Sequence, residues 1–362
     1  MRVVIGSDGR SGAARDATEN PVRAATCGFI LSRMELREVD PTDTALVSEY
    51  VAVRNAADTV DSPWTHPSTV RGTALDLVHG WDGEPDRAFL LDAGGVTVGT
   101  ASLGASSWDN RELAWVGVRV HPGHRRRGHG TAAFALLHDE CRRIGRPLVG
   151  TDHWDAPGPR AFAATIGYEA RARSVNRRQH LADLPAGLFE EAYAEAASHA
   201  DDYELVRIAG RSDDATRERL VAVAESINDA PMDDLEVEDE VYPVERLAAF
   251  EDAQIGSGHR LYRVVARHRS TGELAGHTVM TVEEERPWIG VQEDTSVVAA
   301  HRGHRLGLLL KADLGRWLGE AEPDLLTVDT WNAASNPHMI GVNERLGYRV
   351  VGEAVELQQR LT

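Results

Sequence analysis

His124-Arg125-Arg126-Arg127-Gly128-His129-Gly130 returns 177 residues later (124 to 301) as His301-Arg302-Gly303-His304-Arg305-Leu306-Gly307. Each copy follows a stretch rich in β-branched residues, 116–120 and 295–298, and each opens a helical pattern, 131–143 and 308–318. A strand, a basic Gly-containing turn and a helix N-terminus together bring unpaired backbone N–H groups and the positive end of a helix dipole to one point. That combination holds phosphates.

The repetition spreads outward from the turn. Glu35-Leu36-Arg37 resembles Glu204-Leu205-Val206, Val98-Gly99-Thr100 resembles Ala275-Gly276-His277, and Ile166-Gly167-Tyr168 resembles Leu346-Gly347-Tyr348. The order is kept and the offset drifts slowly, which predicts two related domains with small insertions; the period is far too long for a solenoid. Residues 34–182 form the first domain, 183–202 an Ala- and Glu-rich helical join and 203–362 the second. Residues 1–33 stand outside the repeat and read as a disordered extension, without the long apolar core of a signal peptide.

Within the first domain the pattern predicts a strand at 36–39, a helix at 42–57 and a hairpin at 88–92 and 96–103 around Gly94-Gly95. A long strand at 113–120, a helix at 131–144, a strand at 147–150 and a short helix at 159–165 follow. The second domain repeats the order: strand 205–208, helix 214–228, hairpin 261–267 and 274–282, long strand 288–298, helix 306–318, strand 325–330, helix 337–346. The run Ala156-Pro157-Gly158-Pro159 reads as non-helical.

The chain has 362 residues, enough for two domains with real cores. Its net charge of −18 argues against a nucleic-acid partner and makes the two basic turns stand out. No apolar run reaches the ~20 residues that span a bilayer. Cys27 and Cys141 provide no disulfide framework and fit a reducing compartment, so the expectation is a cytoplasmic protein with no membrane partner and no metal site.

The element order, and the turn Arg125-x-x-Gly128-x-Gly130 with its echo and the closing Gly-Tyr pairs, resemble the GNAT acyltransferase family. The two-domain layout is similar to that of the mycothiol synthases, although layout does not fix substrate. The resemblance covers 34–362. It implies an α/β fold of two tandem GNAT-like domains, each a mixed, mostly antiparallel sheet flanked by helices. It also implies acetyl-CoA, with its diphosphate on the turn and its thioester beside the long strand. Cofactor-binding residues would then be Thr295, Val297, Arg302, Gly303, His304, Arg305, Gly307, Asn332 and Asn336, with Arg125, Arg127, Gly128 and Gly130 in the first domain.

Acetyl transfer to an amine needs a base for the ammonium proton. Alternate residues of a strand share a face. In the second domain that face carries Val291, Glu293, Thr295 and Val297; the matching face of the first carries only Ala114, Val116, Val118 and Val120. Glu293 is therefore the candidate base, with Asp294 as substitute if a bulge shifts the register; a solvated strand-end acid is the competing reading. Family members often carry an Asn eleven residues before the closing Gly, which is Asn336 here, though Asn336 also reads as a helix N-cap before Pro337. They often place a Tyr four residues before that Gly as the acid for the thiolate. Asn343 and Ala163 stand there instead, so Asn343 would donate a hydrogen bond and water the proton. Arg305 replaces the first glycine of the signature in the second domain. These features make the second domain the catalytic one and the first degenerate.

Residues 228–254 hold ten acids and one Arg where substrate-covering helices fall, and would attract a cationic amine or simply form a solvated face. Trp288 and Trp331 read as core or substrate contacts. The expected reaction is transfer of acetyl to the primary amine of a small molecule. A non-catalytic acyl-CoA sensor and a peptide or protein N-acetyltransferase are the alternatives.

Overall fold

The structure, a computed structural model, describes residues Met34–Thr362; the disordered extension expected at 1–33, with Cys27, lies outside the described residues. In chain order the elements are β1 (Met34–Glu38), α1 (Thr44–Asp61), α2 (Val70–His79), β2 (Arg87–Ala93), β3 (Val96–Gly104), β4 (Leu113–Val120), α3 (His129–Arg143), β5 (Leu148–Trp154), α4 (Pro157–Thr165) and β6 (Glu169–His180). Helix α5 (Leu188–Ala197) follows. Then come β7 (Tyr203–Ala209), α6 (Asp214–Glu225), α7 (Val244–Gly256), β8 (His259–His268), β9 (Leu274–Glu283), β10 (Ile289–Val297), α8 (Leu306–Ala321), β11 (Thr327–Ala333), α9 (Pro337–Arg345) and β12 (Arg349–Arg360).

The strands form one 12-stranded sheet in the order β1-β2-β3-β4-β5-β12-β6-β11-β10-β9-β8-β7. The arrangement is pseudo-symmetric with one exchange at its centre. Strand β12, last in the chain, lies between β5 and β6, while β6 pairs with β11. Each half of the chain thus supplies the strand that completes the other's sheet. Val355 and Leu357 of β12 sit in the core of the first half, against Ala114, Leu137 and Val149. Burying such a side chain stabilises by about 1.5–3 kcal/mol, so β12 carries a large part of a marginal stability of about 5–15 kcal/mol. A chain ending at Tyr348 is expected to lose cooperative melting in both halves; a single sharp transition close to that of the full chain would refute this.

Neither β6 nor β12 is foreseen by periodicity, and the reason is chemical. Strand β6 reads Glu-Ala-Arg-Ala-Arg-Ser-Val-Asn-Arg-Arg-Gln-His, and its central position is satisfied by polar pairing rather than apolar packing. Arg178 is buried and donates to Asp329 Oδ2 at 2.7 Å and to the Trp64 carbonyl at 2.8 Å. Helix α2 is likewise absent from the sequence reading, and α7 enters it only through the resemblance, among the substrate-covering helices of 228–254. The run 156–159, expected to be non-helical, begins α4: Ala156 is the N-cap and Pro157 stands in the first turn, where a missing N–H costs no hydrogen bond. Helix α1 starts at Thr44 because Asp43 caps it, accepting from the N–H groups of Ala45 and Leu46. Helix α5, in the join, packs on α8 with the Phe189 ring seated over Gly315.

Candidate active site

Strand β10 pairs with β9 in register at Gln292↔Met280 and again at Thr295↔Thr278. Three residues advance on one strand against two on the other, so Glu293 and Asp294 sit in a β-bulge. The side-chain amide of Gln292 pins the bulge, donating to the Val279 carbonyl at 2.6 Å and to Thr278 Oγ1 at 3.0 Å. Both carboxylates face one cavity of about 1570 Å³. Glu293 Oε2 accepts from Trp81 Nε1 at 3.4 Å, and Trp81 packs on Phe250. Burial, and then the neighbouring Asp294 charge, push the Glu293 carboxyl up to about 7. Burial and Glu240 raise Asp294 as well.

Strands β10 and β11 pair in parallel only from Ile289↔Thr327 to Gln292↔Thr330. Beyond that they diverge. Thr295 and Val297 on one side and Asn332 on the other wall the wedge between them, and all three line the cavity.

The basic turn closes the wide end of the wedge. Gly303 has φ +87° and Arg305, the residue before α8, φ +54°. A Cβ built on Gly303 or Gly307 meets nothing within 4 Å, so the backbone there is open to a ligand. Arg302 is tied back by its Nε to the Val297 carbonyl at 3.1 Å and pairs with Asp229, while Arg305 pairs with Glu195. Arg302, Gly303, Arg305 and Gly307 line the cavity together with Arg345. His304 turns aside onto the Tyr203 ring, 5.4 Å between centroids, and is not part of the wall. Asn336 lines the cavity and also caps α9, accepting from the Met339 N–H at 3.0 Å.

Asn343 is fully buried and lies behind the wall. Its Nδ2 donates to Asn332 Oδ1 at 3.4 Å, and its Oδ1 accepts from Lys311 Nζ at 2.7 Å. Lys311 does reach the cavity, with only 4% of its surface exposed. Its ammonium stands 5.0 Å over the Tyr348 ring, and burial lowers its pKa to about 7. The sequence has 38 arginines and one lysine, and this is the lysine. It interrupts the apolar run Leu308-Leu309-Leu310-Lys311-Ala312, a signal that the motif-based reading passes over.

The first half's turn repeats one feature and differs in others. Arg125, like Arg302, is tied by its Nε to a strand carbonyl (Val120, 2.9 Å) and paired with an Asp, but its pair with Asp61 Oδ1 and Oδ2, at 2.9 and 2.7 Å, is buried rather than half-exposed. Arg127 folds back on the Gly123 carbonyl at 3.2 Å. A Cβ on Gly130 would lie 3.0 Å from the Phe162 ring, which covers the space that is open at Gly307; Gly128, at φ +83°, has room. None of Arg125, Arg127, Gly128 and Gly130 lines the large cavity.

The acidic segment crosses from the second half to the first. Glu238 accepts from the Asn110 N–H at 3.0 Å, the Val241 N–H donates to Asp109 at 3.1 Å, and Arg246 donates to Asp82 at 2.9 Å. It roofs the cavity, but not all its acids face it: Glu251 is fully buried among Ser212, Arg217 and Arg263. Trp331 lines the cavity and stacks on Trp154 at 5.4 Å, whereas Trp288 is 45% exposed. The cavity is therefore bipolar, cationic at the turn and anionic toward the first half.

Comparison with known proteins bears on the fold, and the family match falls on the first half of the chain. The family model described as "Acetyltransferase (GNAT) family" matches residues 55–155. A mycothiol acetyltransferase of Kineococcus radiotolerans is 38% identical over 116 residues, 29% of this chain and 37% of that protein. Another, from Parafrankia sp., is 30% identical over 153 residues, covering 42% and 44%. The match thus spans less than half the length of these relatives. A tandem GNAT protein from the clavulanic acid biosynthesis pathway superposes with a TM-score of 0.72 at 24% identity, over 90% of this chain and 98% of that one. A GCN5-related N-acetyltransferase from Sphaerobacter thermophilus gives 0.60 at 17%, over 90% and 95%. Both structural likenesses speak for the fold alone. No helix among the described residues is long and apolar enough to cross a membrane. Residues 55–155 therefore match the GNAT acetyltransferase family model, and the chain as a whole has the fold of a tandem GNAT protein.

Proposed function

We propose that the protein is an acetyl-CoA-dependent N-acetyltransferase acting on the primary amine of a small molecule, with the chemistry in the second half. One observation carries the reading: the open turn at Gly303 and Gly307, the β10–β11 wedge, the Glu293 bulge and Lys311 all face a single cavity. The residues fit the donor. Gly303, Gly307 and the first N–H groups of α8 offer a cradle for a diphosphate, and Arg302, Arg305 and Arg345 surround it with charge. Thr295, Val297, Asn332 and Asn336 would flank the pantetheine arm. Acetyl-CoA, when bound there, supplies an activated acetyl group.

The chain's own groups handle protons. An amine reacts only when neutral, and Glu293, poised near neutral pH, takes the ammonium proton at its carboxylate. Lys311 holds a proton on Nζ at the wall of the wedge, positioned by Asn343, for the departing sulfur. A lysine suits this role where an arginine would not, because burial brings its pKa into the working range while a guanidinium stays charged. Asn343 acts through Lys311, and Asp294 tunes Glu293 by its charge.

The assignment of the halves is tested by acetyl-CoA titration calorimetry. Gly307→Glu is expected to abolish binding, because it sets a carboxylate and its bulk where the diphosphate sits. Gly130→Glu is expected to leave the affinity within about twofold. The reverse pattern would move the site to the first half, and no binding to the parent protein would remove the proposal.

A further inference from the structure

We infer that Asp152 and Glu356 form a cation subsite, and that the acceptor carries a second ammonium or guanidinium group besides the amine that is acetylated. The inference rests on the function proposed above and names its substrate class.

Asp152 and Glu356 face each other across the β5–β12 pair, and both line the large cavity. They are 7% and 3% exposed. Glu356 Oε1 has no hydrogen-bond partner among the described residues. Desolvation raises the Glu356 carboxyl, a neighbouring Ser174 hydroxyl opposing it in part. Arg173, which lines the same wall, is already engaged by Asp155 at 2.7 Å. A carboxyl oxygen nine-tenths buried, without a partner among the described residues and lining a cavity beside a second acid, is a receptor for a cation that would hold it ionised.

The surroundings select an organic cation. Trp115 and Trp331 line the cavity with Asp152 and Glu356, and Trp115 lies over Gly150, two residues from Asp152. Indole faces attract ammonium and guanidinium groups. Glu356 lies on β12 and Glu293 on β10, three strand spacings or about 14 Å apart across the sheet, and the registers offset them by about four residues, roughly 13 Å, along the strands. A monoamine or a short diamine cannot touch both carboxylates; a long polyamine or an extended guanidino-amine can. The subsite exists only because the last strand of the chain inserts beside β5, so acceptor recognition is shared between the halves while the turn serves the donor.

The test is calorimetric titration, without acetyl-CoA and at physiological ionic strength, of spermine, putrescine and butylamine. Spermine is expected to bind tightest. Glu356→Gln and Asp152→Asn are each expected to weaken it about tenfold or more, the range for a lost charged hydrogen bond. Asp139→Asn, which removes an exposed carboxylate (76% exposed), controls for the general negative charge and is expected to leave the Kd unchanged. With acetyl-CoA present, the ratio of kcat/KM for spermine over butylamine is expected to fall by a similar factor in Glu356→Gln. Spermine binding no tighter than butylamine, or losing as much in Asp139→Asn as in Glu356→Gln, overturns the subsite. Specific spermine binding with no acetylation of any amine would retain the subsite and refute the enzymatic reading instead.

Discussion

Glu293→Gln is expected to lower kcat/KM for amine acetylation by about 10²- to 10⁴-fold, the usual contribution of a positioned base, with acetyl-CoA affinity unchanged. The substitution keeps the shape of the side chain and its bond to Trp81 Nε1. In the parent protein the acid limb of the pH profile, below about 7, should follow ionisation of the carboxyl, and the variant should lose that limb. Stability offers a second readout. The folded pKa lies above the ordinary 4.5, so the stabilising contribution of the protonated form is full below 4.5 and fades as pH rises through about 7. Gln stays neutral throughout. The variant should therefore melt higher than the parent at pH values above 7 and show no such advantage near 4.5. Full activity in Glu293→Gln would eliminate Glu293 as the base. A large activity loss without the stability gain would point to Asp294, the other member of the bulge, as the group that ionises.

Lys311→Met is expected to cost about 10²- to 10³-fold in kcat and to remove the alkaline limb of the pH profile. The sign follows from the lowered pKa: the ammonium needed for sulfur departure is lost as pH rises through about 7 rather than 10.5. Because Glu293 must be ionised while Lys311 is protonated, the parent profile should be a narrow bell near neutral pH without a plateau. Methionine fills nearly the same volume, so packing against Tyr348 is kept. The lack of any second lysine makes a direct measurement clean. Amine-specific labelling should modify one side chain, with a rate midpoint near pH 7, and coenzyme A should protect it. A midpoint near 10.5, or an unchanged pH profile in Lys311→Met, would show a structural lysine.

What the chain discloses in advance depends on how each element is stabilised. Strand β4 at Leu113–Val120 is legible in full because its burial is apolar and its ends are marked. The paired turns are legible because glycines and arginines in that order have few other uses. Strand β6 is not, since arginines held by Asp329 and Asn332 replace the apolar alternation on which strand reading depends. The bulge at Glu293 and Asp294 is foreseeable only as a possibility; its existence depends on the Gln292 amide finding Val279. Lys311 is invisible to motif comparison because its significance is compositional and spatial. The Pro157 start of α4 is misread by treating proline as a breaker at a position where the helix has no hydrogen bond to lose.

The exchanged last strand also imposes an order on biosynthesis. Strand β5 ends at Trp154, and the partner it needs, β12, begins at Arg349. At about 5–20 residues per second, the ribosome leaves roughly 10–40 s between them. During that interval the emerging first half exposes an open backbone edge at β5, and the Asp152 carboxylate lacks its opposite number. Such an edge invites pairing with another nascent chain. The high density of acidic charge on these residues, −18 in all, provides repulsion against that encounter until β12 has emerged.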